Sequence, residues 1–103
     1  FVGKLVQNPA AQVFTPGSDP DVLEEILTGI IIANHDNANR EFSLHYTKDA
    51  ASIYLFNQLL LPAHSTTNLD LYLPMTAGMN FTALGSVDEV LSLTMYGLEL
   101  REV

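Results

Sequence analysis

The sequence predicts an all-β chain, an antiparallel β-sandwich of about eight strands with a jelly-roll-like layout, forming one domain over residues 1–103. Three observations carry this. Ile30-Ile31-Ile32 closes a β-branched run from Ile26 that suits extended backbone and handicaps a helix. Glu41 to Thr47 alternates polar and apolar residues with period two, the mark of a half-buried strand. Turn-forming residues recur at spacings of about 8–12 residues, as in sandwiches and jelly rolls.

The elements follow in order. Lys4-Leu5-Val6 and Gln12-Val13-Phe14-Thr15 read as short strands separated by Asn8-Pro9. Pro16-Gly17-Ser18-Asp19-Pro20-Asp21 is too rich in breakers for regular structure. Val22 to Leu27 alone would admit an amphipathic helix, but Thr28, Gly29 and the isoleucines favour a strand from about Glu24 to Asn34. Apolar residues occur there at both parities, which requires cover on both faces or a bulge near Gly29. His35 to Asn39 is a turn of residues that tolerate left-handed backbone.

In the next strand Phe42, Leu44 and Tyr46 share one face, and Glu41, Ser43, His45 and Thr47 the other. Lys48 to Ser52 is expected to be a loop, Ile53 to Leu61 an extended segment, and Pro62 to Ser65 a turn. Leu69, Leu71 and Leu73 alternate with Asn68, Asp70 and Tyr72; Pro74 to Gly78 should break that strand, and Met79 to Leu84 resumes. Gly85 to Glu89 is the last loop. In the closing strand Leu91, Leu93 and Met95 share a parity, whereas Leu98 and Leu100 occupy the other. A bulge at Tyr96-Gly97 would account for that change of phase.

Composition narrows the function. Charged residues make up 16% of the chain, below the usual ~25%, while 48% is hydrophobic. Such a surface suits a protein partly covered by partners. The net charge is −8, and the four basic residues Lys4, Arg40, Lys48 and Arg101 are scattered. No basic track exists for nucleic acid or an anionic membrane surface. The chain has no cysteine, hence no disulfide or thiolate metal site. No apolar run approaches the ~20 residues of a membrane helix, and no signal-peptide pattern is present. The chain opens on Phe1 instead of Met, so residues are expected to precede it.

Chemistry-bearing residues are sparse. His35, His45 and His64 show no local metal-ligand spacing. Asp19, Asp21, Glu24 and Glu25 form one acidic cluster, and Asp36, Asn37 and Asn39 fill a turn, but neither has the ligand spacing of a calcium loop. No nucleophile elbow appears, and twelve acids on a small domain supply no evidence of a catalytic pair. The reading is therefore no enzyme, no cofactor and no metal. Phe42, Tyr46 and Phe81 sit on inward parities and belong to the core. Tyr72, Tyr96 and His45 fall on outward parities, and Tyr54 is unassigned. These four are the candidate interface or ligand residues. Subunit contact, where tyrosine is enriched, is favoured over sugar binding, with plain solvent-edge tyrosine still open.

A resemblance extends this. Thr15-Pro16-Gly17, the strand ending Ile30 to Asn34, Phe42-Ser43-Leu44, and Leu59 to Thr66 leading into Leu69-Asp70-Leu71 come first. Leu73 to Gly78 and the terminal Leu93 to Leu100 follow. In this order the motifs resemble the small virion structural proteins of tailed bacteriophages, from about Lys4 to Leu100. The chain departs from that pattern in the longer acidic Ser18–Glu25 segment and in Asp36. The resemblance implies a non-enzymatic β-sandwich subunit, a trimer, on the tail fibre or baseplate or on the capsid as a decoration protein. Its partners would be copies of itself and other virion proteins, in a particle assembled in the host cytoplasm. The alternative is a carbohydrate-binding or receptor-binding module facing a host-surface glycan.

Overall fold

A computed structural model describes residues 1–8, 10–17 and 22–101. Pro9, the Ser18–Asp21 turn with its two acids, and the last two residues lie outside the described residues. Eight strands are seen among them, and no helix. They are β1 (Val2–Leu5), β2 (Ala11–Phe14), β3 (Val22–Asn34), β4 (Arg40–Lys48), β5 (Ala51–Leu61), β6 (Thr66–Met75), β7 (Asn80–Gly85) and β8 (Leu91–Arg101).

All pairings are antiparallel, in two four-stranded sheets. Sheet A has the order β1-β8-β3-β6 and sheet B the order β2-β7-β4-β5. The first strand thus pairs with the eighth, the second with the seventh, the third with the sixth and the fourth with the fifth. That is the pairing of one long hairpin, wrapped so that β3 also meets β8 and β4 also meets β7. The expected β-sandwich is what the chain forms.

Alternation supplies the core. Ile30, Ile32, Leu91, Leu93 and Met95 from sheet A face Phe42, Leu44, Phe81 and Ala83 from sheet B, all buried in one cluster. Tyr46 packs against this cluster with its ring 5.5 Å from that of Phe81. Each such side chain taken out of water stabilises the fold by roughly 1.5–3 kcal/mol.

Of the two alternatives for β3, cover on both faces or a bulge near Gly29, the bulge is present. Leu27 pairs with Gly97 and Gly29 with Tyr96, so Thr28 is an additional residue on β3. It turns the inward parity from Leu27 to Ile30 and Ile32. The bulge expected in β8 is not there. β8 keeps one parity, Gly97 following Met95 inward, and Leu98 and Leu100 simply face outward. Gly97 lies opposite the bulge, where a Cβ would stand 1.9 Å from the Ile26 carbonyl oxygen. Glycine marked the right place on the wrong strand.

Two further expectations change. The Lys48–Ser52 loop is a two-residue turn, Asp49-Ala50, with φ of 52° and 65°. Positive φ at both centres gives the twist that a tight hairpin needs. β6 continues through Pro74 to Met75, because β6 is a sheet edge, where proline costs no ladder hydrogen bond.

The β3–β4 turn is fixed by buried Asn34. Its Nδ2 donates to the Ala38, Leu61 and Pro62 carbonyls at 3.0–3.1 Å, and its Oδ1 accepts from the Asp36 amide at 3.0 Å. Arg40 Nε donates to Asp36 Oδ2 at 2.8 Å across the same turn. The Arg40 guanidinium, and after it the Asn37 amide, holds the Asp36 carboxyl below its ordinary pKa.

Candidate functional site

Paired residues in a sheet point to the same side, so the register assigns the two outer faces. On sheet A the outward rows are Leu5–Ser92–Ala33–Thr66, Gly3–Thr94–Ile31–Asn68, Tyr96–Gly29–Asp70 and Leu98–Ile26–Pro74, with Leu100 beside Glu24. Asp70 and Glu24 are the charged members of these rows. Leu98 is 60% exposed, Leu100 53% and Tyr72 70%. An apolar row therefore lies at the bulged end of this face, flanked by Asp70 and Glu24.

Tyr96 behaves differently from its neighbours. Its ring lies across Gly29, close enough that a Cβ there would be 2.0 Å from the ring, and its hydroxyl donates to Asn68 Oδ1 at 3.3 Å. The ring covers backbone that glycine leaves bare. Tyr96 is thus pinned to its own sheet, whereas Tyr72 stands free at the surface.

Sheet B presents the opposite chemistry. Its outward rows are Gln12–Thr82–His45–Tyr54, Leu84–Ser43, Glu41–Leu60 and Asn80–Thr47–Ser52. β5 is bulged twice relative to β4: Phe42 pairs with Leu59, Leu44 with Phe56 and His45 with Tyr54. The first bulge holds Asn57 and Gln58, with Gln58 at φ 55°, and its amide donates to Ser43 Oγ at 2.9 Å. Ser43 is only 8% exposed, so its hydroxyl acts as a fixed acceptor for a strained backbone. A shallow groove of about 200 Å³ results, walled by Tyr54, His45, Asn57, Gln58, Glu41 and Ser86. The His45 and Tyr54 rings lie 4.9 Å apart within it.

The four candidate residues therefore divide. His45 and Tyr54 meet on sheet B, Tyr72 and Tyr96 belong to sheet A, and no single site unites them. Asn57, Gln58 and Glu41 were missed as site residues, since nothing in Asn57-Gln58 announces a bulge. His35 Nε2 lies 3.0 Å from Ser92 Oγ. Among the described residues nothing binds the other ring nitrogen of His35, so this Ser–His pair lacks the orienting group of a triad. Among the described residues no group of three or more His, Cys, Asp or Glu is placed to hold a metal ion. Comparisons with protein families, with curated proteins and with solved structures find no match.

Proposed function

We propose that this chain is a non-enzymatic structural subunit of a tailed-phage virion, working by docking through the outer face of sheet A. The observation that carries the reading is the apolar row at the bulged end of that face, where Leu98, Leu100, Tyr72 and Pro74 surround Ile26, with Asp70 and Glu24 at its margins. Large apolar side chains grouped on a rigid sheet mark an association surface. Tyrosine and leucine in such a patch supply contact area at small entropic cost. The charge of −8 keeps free subunits apart until specific contacts form.

The virion assignment draws on the motif order described above and on a reading of the wrapped-hairpin strand order as a jelly roll. Jelly rolls recur in viral capsid and lectin domains, a support by fold analogy. The subunit is taken to be a trimer, seated on the tail fibre or baseplate or decorating the capsid. Sedimentation velocity of the purified chain, with electron microscopy of intact particles, tests this. A discrete trimer and density in the particle are expected. A strict monomer absent from particles would overturn the reading.

A further inference from the structure

We propose that the groove on the outer face of sheet B binds a neutral oligosaccharide. Tyr54, 54% exposed, would supply the flat surface for the C–H face of a sugar ring. Asn57, Gln58 and Glu41 would supply donors and acceptors for its hydroxyls.

Four observations converge on this ligand class. First, the groove's polar groups are uncommitted. Among the described residues no hydrogen bond within the chain engages the Tyr54 hydroxyl, the side-chain amides of Asn57 and Gln58 or the Glu41 carboxylate. Asn8 and Ser86, by contrast, are used to shape the wall: Asn8 Nδ2 donates to the Gly85 and Ser86 carbonyls, and Ser86 Oγ accepts from the Glu41 amide. Second, the bulge that presents the two amides is held in place at a cost. Gln58 keeps a positive φ inside a strand, secured by the nearly buried Ser43 hydroxyl. Bulges and strained residues of this kind re-aim side chains at binding sites.

Third, the charge is wrong for anions. No Lys or Arg lines the groove, Glu41 does, and the chain carries −8. Phosphorylated, sulfated and sialylated ligands would meet like charge, whereas a neutral sugar would not. Fourth, the floor of the groove is the face of β4 and β7, whose backbone groups are paired in the ladders, while the free edge of the sheet is the far side of β5. An extended peptide would pair its main chain at that edge and not on this face. A sugar needs only side-chain partners and an aromatic ring.

The site lies on the opposite side of the sandwich from the proposed docking face, so a docked subunit would leave it open. It does not rest on the self-association reading. Sedimentation reports on sheet A and ligand titration on sheet B, so failure of either is recognised separately.

The test is a ¹H–¹⁵N correlation titration of the intact chain with short neutral hexose and N-acetylhexosamine oligosaccharides, and with sialylated and sulfated counterparts. Saturable shifts confined to His45, Tyr54, Asn57 and Gln58 with at least one neutral oligomer are expected. Tyr54→Ala should weaken binding about tenfold, the loss of one aromatic contact. Gln58→Gly removes an amide while relaxing the positive φ, so binding should fall with the fold intact. Tyr72→Ala, on the other face, should leave binding unchanged. No saturable shift with any neutral oligomer would overturn the proposal. So would binding that survives both Tyr54→Ala and Gln58→Gly, or equal binding of sialylated or sulfated counterparts.

Discussion

The outer faces of sheets A and B are built from the same antiparallel ladder, yet one carries a row of exposed apolar side chains and the other a polar groove. In sheet A the Thr28 bulge, like a second at Leu23, falls on an interior strand, β3, with partners on both sides. It keeps Leu27, Ile30 and Ile32 in the core while leaving Ile26, Ile31 and Ala33 to the outside, so the β-branched run serves both faces. In sheet B the bulges fall on the edge strands β2 and, twice, β5, which can bend without disturbing a second neighbour. On β5 they lift Asn57 and Gln58 into a groove. Where a bulge falls in a sheet decides whether it conserves packing or creates a surface feature.

The largest effect should come from charging the apolar face. The double change Leu98→Glu and Leu100→Glu touches exposed side chains, so monomer stability should stay within about 0.5 kcal/mol. Self-association should weaken at least about a hundredfold, since each leucine withdrawn from an interface forfeits roughly 1.5–3 kcal/mol. Urea denaturation reads the first quantity and concentration-dependent light scattering the second. Equal charging of sheet B, Leu60→Glu with Leu84→Glu, should leave association unchanged; if it does not, the two faces are not functionally distinct.

Two glycines sharpen the comparison within sheet A. A Cβ at Gly97 would meet backbone, the Ile26 carbonyl at 1.9 Å, and also the Phe1 ring at 2.8 Å. Gly97→Ala should therefore cost about 3 kcal/mol, the upper range for overpacking against atoms that cannot yield. A Cβ at Gly29 would meet only the Tyr96 ring, which can swing toward solvent. Gly29→Ala should cost about 1 kcal/mol and release the Tyr96–Asn68 hydrogen bond. Urea denaturation of the two variants gives the ratio.

On sheet B, Ser43→Ala removes the acceptor of the Gln58 amide. About 1 kcal/mol should be lost, the net contribution of one hydrogen bond at a partly buried donor. Thermal unfolding should show a fall of roughly 4–8 °C for each kcal/mol in a domain of this size. Ser43→Ala combined with Gln58→Gly should recover part of that loss.

The smallest effect concerns the β3–β4 turn. Asp36 has a depressed folded-state pKa, so its contribution is present above the unfolded value of about 3.9 and is lost as pH falls through the folded value. Acid titration of stability should be slightly shallower in Asp36→Asn, which no longer binds that proton. The pair is only partly buried, so added salt should shrink the difference.

Much of this architecture could be read from residues alone, for identifiable reasons. The alternation in β4, β6 and the first half of β8 is a direct imprint of a half-buried sheet, and it placed Phe42, Leu44, Leu69 and Leu93 correctly. Thr28-Gly29 between runs of opposite parity located the β3 bulge. Leu98 and Leu100 misled because apolar parity was equated with the core, whereas here it marks the outer surface. Asp49-Ala50 misled because alanine is a poor advertisement for positive φ. His45, Tyr72 and Tyr96 are legible as outward side chains and Tyr54 is not, and which sheet each occupies depends on strand order, a property of long-range pairing. The β5 bulge at Asn57-Gln58 is held by Ser43, fifteen residues away, so no local pattern could show it.

Sedimentation velocity of the unmodified chain beside the Leu98→Glu, Leu100→Glu variant addresses the docking face most directly. A trimer that the double variant converts to a folded monomer is the predicted result. An unmodified chain that stays monomeric at every concentration, or a trimer indifferent to both charges, would contradict it.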